Sequence, residues 1–184
     1  MKRVLRPAVF LDRDGVLNRT TVRNAVSHPP QLLEEFELLP GVLEALTDLR
    51  TAGFVLVVVT NQPDLATGRI RPEVAEAIHQ KLRALLPIDD IKVCGHVDED
   101  DCSCRKPRPG MLLDAGKRWG LDLTYSLMVG DRWSDIEAGQ AAGCLSLLVV
   151  TPQSGRDRCR PDHCVESLAE AADWILTLAH RGHS

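Results

Sequence analysis

No apolar run in the chain approaches the length of a membrane span, and the opening Met1-Lys2-Arg3-Val4-Leu5-Arg6-Pro7 lacks the apolar stretch of a secretory signal. The expectation is a cytoplasmic protein. No block of one charge sign occurs either. The net charge is −4 with both signs interspersed, so there is no basic stripe for nucleic acid and no acidic tail suited to disorder. Repeats, low-complexity segments and interdomain linkers are missing too, so residues 1–184 read as one domain, long enough to bury a full core. A monomer is expected, with neither nucleic acid nor membrane as a partner. Six cysteines are present, yet without a secretion signal they are expected to stay reduced or to bind metal.

What the chain does have is an alternation of apolar strands and helical patterns. This predicts a Rossmann-like three-layer α/β sandwich with a central parallel sheet. Strands are expected at Ala8 to Leu11, Val55 to Val59, Ile91 to Val93, Ser126 to Val129 and Leu145 to Val150. One helix should bury Val42, Leu43, Leu46 and Leu49 and stop at Gly53. A second, after Pro72, should bury Val74, Ile78, Leu82 and Leu85 and end at Pro87. Residues 111–119 read as helix up to Gly120, and Ser134-x-x-Glu137 and Ser167-x-x-Glu170 read as capping boxes opening two more. Residues 18–39 read as a long loop, in which His28 and Glu35 are within reach of a ligand but are more simply solvated. Neither this loop nor the stretch from residue 60 to 106 can hold a cap domain, which needs at least ~50 residues of its own.

Three strand exits carry polar chemistry. The first strand runs into Asp12-Arg13-Asp14-Gly15, the second into Thr60-Asn61-Gln62, and Ser126 to Val129 into Gly130-Asp131-Arg132-Trp133-Ser134-Asp135. Lys106 lies between the last two. A lone Asp-x-Asp is ordinarily a turn. An acid pair, a hydroxyl, a lysine and a second acid pair in this order, three of them at strand exits where open α/β sheets bind ligands, are not explained by turn chemistry. Asp12 is a candidate nucleophile. Several carboxylates aimed at one crevice require a cation among them, and hard oxygen ligands suit Mg²⁺.

A further cluster lies at Cys94-Gly95-His96 and Cys102-Ser103-Cys104. Ligands at i and i+2 on extended backbone point the same way, so the two pairs can close as pincers on a tetrahedral Zn²⁺. Such a site is normally structural, fixing a loop too short and polar to pack by itself. Cys159, His163 and Cys164 lack a fourth ligand and read as ordinary residues, Cys144 as a buried small hydrophobe. Trp133 either covers the rim of the acidic site or packs.

These motifs resemble the four signatures of the haloacid dehalogenase-like superfamily of aspartate-nucleophile phosphohydrolases. The resemblance implies that Asp12 attacks phosphorus, and that Asp14 serves as acid and then base while its backbone carbonyl touches Mg²⁺. It gives Thr60, Asn61 and Lys106 to the phosphate, Asp131 to Mg²⁺, and Asp135 to a metal-bound water or the lysine. With the Cys₃His loop, residues 8–180 resemble the capless, zinc-loop branch typified by heptose-1,7-bisphosphate phosphatases, with histidinol-phosphate phosphatases as relatives. In that branch the segment ending Cys-Arg-Lys-Pro places an Arg on the distal phosphate, a role that falls to Arg105; Arg108 reads as a surface residue. The implied activity is hydrolysis of the 7-phosphate of a heptose bisphosphate for surface polysaccharide. Histidinol-phosphate hydrolysis is the alternative reaction, and a non-catalytic zinc-stabilised binding module the alternative class. Pro63-Asp64 departs from the familiar Ser-Gly, as does Gly95 from the usual Pro, and both departures fall on contacts expected to select the sugar.

Overall fold

Ala8–Leu11 (β1) is four apolar residues with no exposed surface, which only a strand flanked by neighbours on both edges and covered on both faces achieves. In the computed structural model, which describes residues 5–23 and 26–181, β1 is the centre of the sheet. The chain continues through Thr21–Arg23 (β2), Val26–His28 (β3), Val42–Thr51 (α1), Val55–Asn61 (β4), Pro72–Leu85 (α2), Asp90–Cys94 (β5) and Gly110–Trp119 (α3). Leu127–Gly130 (β6), Trp133–Ala142 (α4), Leu145–Val149 (β7), His163–Val165 (β8) and Leu168–Arg181 (α5) complete it. Six parallel strands stand in the order β5-β4-β1-β6-β7-β8. Successive connections therefore leave β1 in opposite directions, which opens a crevice at the carboxyl end of β1.

The two-residue period of the strands sorts the core into two layers. Val9 and Leu11 join Leu56, Val58 and Val129 under α1, α2 and α5, while Ala8 and Phe10 join Val57, Val59 and Met128 under α3 and α4. This is the three-layer sandwich expected. No helix among the described residues is long and apolar enough to cross a membrane.

Several local expectations need correction. Residues 18–39 are not all loop: β2 and β3 pair as an antiparallel hairpin, Thr21 opposite His28. A sixth strand, β8, escaped notice because it is only three residues long and just one of them, Val165, is a buried apolar residue. Leu43 and Leu85 are exposed, and Ala45, Ala75 and His79 take the buried positions instead. The fourth helix begins one residue before Ser134. Its first turn is closed by Asp135, whose Oδ2 accepts from the Arg132 N–H at 3.0 Å. Ser167 does cap α5, accepting from the Glu170 N–H at 3.2 Å.

Candidate active site

Asp12 stands one residue beyond β1 and keeps the strand direction, its N–H donating to the Val129 carbonyl at 2.9 Å. Asp131 stands one residue beyond the neighbouring β6, and the first turn of α4 brings Asp135 back to the same point. Carboxylate oxygens of Asp12, Asp131 and Asp135 lie within 4.8 Å of one another, all buried. Two glycines permit this crowding. A Cβ on Gly130 would run into the Asp135 side chain, and one on Gly15, whose φ is +92°, into the Asp131 carboxylate.

The Lys106 ammonium enters this cluster, 2.7 Å from Asp12 Oδ1, 2.6 Å from Asp135 Oδ1 and 2.7 Å from the Val59 carbonyl. Burial would depress the lysine, but Asp12 and Asp135 outweigh it and hold Lys106 above its ordinary range. Burial pushes Asp12 up to about 6 against the pull of Lys106. Asp131 rises to about 8 through burial and the charges of Asp12 and Asp135. Asp131 Oδ1 is also buried with no hydrogen-bond partner. A lone acceptor among crowded carboxylates is what a hard divalent cation would satisfy, so the residues fit Mg²⁺.

Asp14 lines the same cavity as Asp12 and Asp135 but stands outside this three-carboxylate cluster. Arg13 donates to it from Nε and from Nη2, the latter at 2.8 Å to Oδ2; Asn18 Nδ2 donates to Oδ1 at 2.9 Å and Gln62 Nε2 to Oδ2 at 2.7 Å. Burial works to raise Asp14, but the Arg13 charge and these donors prevail and hold it below the usual carboxylate value. Gln62 Nε2 also donates to Thr60 Oγ1 at 2.8 Å, leaving the threonine O–H free to donate elsewhere. Arg13, Asn18, Gln62 and His79 were not singled out in the sequence. Only Gln62, the last residue of the second strand exit, and Asn18, three residues beyond the first, carried any signal.

Asn61, expected on the phosphate, instead faces the Lys106 backbone. Its Nδ2 donates to the Lys106 carbonyl at 3.0 Å and its Oδ1 accepts from the Lys106 N–H at 3.1 Å. It is a buttress for the lysine. Arg105 reaches the mouth of the site but is held there, 2.5 Å from Asp98 Oδ1 and 3.2 Å from the His96 carbonyl. Arg108 lies at the surface, paired with Asp101.

The crevice opens into a cavity of about 580 Å³. The hairpin supplies His28 to its wall, the β4 exit supplies Asp64 with Arg69, and α4 supplies Trp133. Trp133 carries the Arg158 guanidinium 3.9 Å above its ring. Glu35 takes no part in the wall and accepts from the Gln31 N–H.

Beside the cavity, β5 delivers Cys94 to Cys102, Cys104 and His96. The three sulfurs are 3.2, 3.4 and 3.7 Å apart, and His96 Nδ1 is 3.3 Å from Cys104 and 3.5 Å from Cys94. A tetrahedron with Zn–S of ~2.3 Å and Zn–N of ~2.0 Å needs separations of roughly 3.8 and 3.5 Å. The donor set therefore fits zinc, with Nδ1 as the ring ligand. His163, by contrast, stacks on Trp174 at 4.6 Å.

The HAD-hydrolase-like family model matches residues 103–171. A D-glycero-beta-D-manno-heptose-1,7-bisphosphate 7-phosphatase of Pseudomonas aeruginosa is 37% identical over 161 residues, covering 85% of this chain and 88% of that one. A Bordetella bronchiseptica protein of the same name is 38% identical over 181 residues, 93% and 98% of the two chains. The crystal structure of a B. bronchiseptica D,D-heptose 1,7-bisphosphate phosphatase with magnesium and phosphate superposes with a TM-score of 0.82 at 36% identity, covering 94% and 99%.

Proposed function

The chain belongs to the heptose-1,7-bisphosphate 7-phosphatase family of HAD-like hydrolases, and on that footing we propose that it removes the 7-phosphate of D-glycero-D-manno-heptose 1,7-bisphosphate. The observation that carries this reading is the buried cluster of Asp12, Asp131, Asp135 and Lys106 at the exits of β1 and β6.

Lys106 holds Asp12 Oδ1, so Oδ2 is the oxygen presented to phosphorus. It forms the P–O bond of an aspartyl-phosphate as the bond to the sugar oxygen breaks. Asp14 gives a proton to the departing alkoxide, then takes one from the water that attacks the phosphoenzyme. The proton for the first step is acquired on substrate binding, when a phosphate dianion beside Asp14 opposes its ionisation. Thr60 O–H and the Lys106 ammonium face the phosphate oxygens, and Asn61 keeps Lys106 in place. Mg²⁺, held by the carboxylates of Asp12 and Asp131 and the carbonyl of Asp14, would neutralise charge on the transferring phosphoryl group. Zn²⁺ on Cys94, His96, Cys102 and Cys104 would fix the segment that ends in Arg105 and Lys106. Arg105, released from Asp98, would grip the distal phosphate in the bidentate manner open to a guanidinium. On this reading the protein is a single-domain cytoplasmic monomer supplying heptose for surface polysaccharide.

One observation favours a second reading. Asp64 and Asp98 put two carboxylates at the mouth, each beside an arginine, an arrangement that also suits a monophosphate bearing a cation, such as histidinol phosphate. Phosphate release with and without Mg²⁺ from both anomers of the heptose bisphosphate and from histidinol phosphate, with Asp12→Asn as blank, separates the two. Faster turnover of histidinol phosphate would overturn the heptose reading. No Mg²⁺-dependent release from any of them would leave a zinc-stabilised binding module.

A further inference from the structure

Arg13 lies between the two members of the acid pair, yet its side chain is completely buried. A buried guanidinium is stable only when its donors are matched. One side of it faces Asp14, through Nε at 3.2 and 3.1 Å and Nη2 at 2.8 Å. The other side faces α2, where Nη1 is 3.0 Å from His79 Nε2. His79 is itself buried, and neither residue lines the cavity. Guanidinium has donors only, so Nε2 must accept and the ring proton sits on Nδ1. Burial and the Arg13 charge depress His79 to about 4, so the ring remains a neutral acceptor near neutral pH.

We infer that His79 and Arg13 are positioning residues for Asp14: the imidazole pins the guanidinium from behind, and the guanidinium, with Asn18 and Gln62, sets where the Asp14 carboxylate stands. The inference rests on Asp14 being the acid–base group. Without His79, Nη1 loses its anchor, the guanidinium plane can turn, and the carboxylate it holds moves with it.

The test uses leaving groups of different basicity. An alkoxide departing from the heptose bisphosphate needs a proton, whereas 4-nitrophenolate departing from 4-nitrophenyl phosphate does not. The kcat/KM value isolates the steps through this first cleavage. In His79→Leu, kcat/KM for the bisphosphate should fall roughly 10- to 100-fold, as expected of a misplaced catalytic group, and that for the aryl phosphate by less than about threefold. His79→Gln, which offers Oε1 in place of Nε2, should recover most of the loss. Thermal unfolding identifies variants that fail to fold, and Arg13→Lys, which keeps the charge but not the fork, then replaces His79→Leu. Equal losses on both substrates, or no rescue by Gln, would overturn the inference. Asp14→Asn is run alongside. If it lowers the bisphosphate value selectively and His79→Leu does not, positioning alone fails; if it shows no selectivity, the role of Asp14 falls and the inference with it.

Discussion

Mg²⁺ affinity should depend steeply on pH, because the cation must displace protons from the carboxylates that hold it. Asp131, raised to about 8, is half ionised at pH 8 and ionised to about 1% at pH 6, a penalty of about 50-fold. Asp12, raised to about 6, adds about a factor of two over the same interval. Affinity should therefore fall by about 100-fold from pH 8 to pH 6, or about 2.7 kcal/mol. Both folded-state values lie above the unfolded carboxylate value, so the metal-free fold binds more protons than the unfolded chain. Its stability from these groups is complete below about pH 4 and is lost as pH rises through 6 and then 8. Lys106, raised, stays charged throughout. Mg²⁺ should reverse the loss, stabilising the fold more at pH 8 than at pH 6. Calorimetric titration at pH 6, 7 and 8 in buffers of different ionisation enthalpy measures both quantities, with about one proton released per Mg²⁺ at pH 7. An affinity flat across this range, with no proton release, would refute the assignment of Asp12 and Asp131 as a buried metal-binding pair.

Arg105→Ala should raise KM for the heptose bisphosphate by roughly 10- to 100-fold, the worth of charge-assisted hydrogen bonds, with little change for histidinol phosphate. Asp98→Asn, which frees Arg105 from its carboxylate, should lower the bisphosphate KM in the same steady-state assay. Stripping zinc with a strong chelator, or Cys102→Ser, should expose the segment 95–104 to limited proteolysis. It should also lower activity about tenfold or more, since Cys104 lies two residues before Lys106; elemental analysis of the metal content checks that zinc is what was lost. Gly130→Ala should destabilise the protein by ~1–3 kcal/mol in urea unfolding, because its methyl group meets Asp135.

The sheet and the acidic cluster were legible because fully buried strands leave an unbroken apolar run, and the polar residues that end such a run must stand at the sheet's carboxyl edge. Val9 and Leu11 against Ala8 and Phe10 shows the same pattern dividing the two layers. The hairpin was not legible. Its strands, Thr21–Arg23 and Val26–His28, are three residues each, and Val22 is exposed. Helix faces were read one residue too wide at Leu43 and Leu85, since spacing alone does not say where the sheet ends. Asn61 shows a different limit: the family resemblance gave it to the phosphate, but only the fold reveals the Lys106 backbone across from it. Arg13 is the strongest case: nothing in the local sequence singles it out, and the fold buries its guanidinium 3.0 Å from a histidine 66 positions away.

Charge balance explains why one divalent cation suits this site and why, on the proposed function, selectivity falls to its mouth. Once a metal has displaced the proton from Asp131, the carboxylates of Asp12, Asp131 and Asp135 against one Lys106 leave two negative charges in a buried crevice, and a divalent ion cancels them where a monovalent ion would not. Asp14 adds nothing to this sum, because Arg13 already neutralises it. The mouth is balanced in the same way, Arg105 against Asp98 and Arg69 against Asp64. A second phosphate gains Arg105 only by displacing Asp98, so affinity for a bisphosphate is set by the difference between two ion pairs. At the reacting phosphate the Lys106 ammonium is shared with Asp12 and Asp135, pairs that no substitution at the mouth alters. On the proposed function, substitutions at the mouth should therefore change the substrate while leaving the chemistry at Asp12 intact.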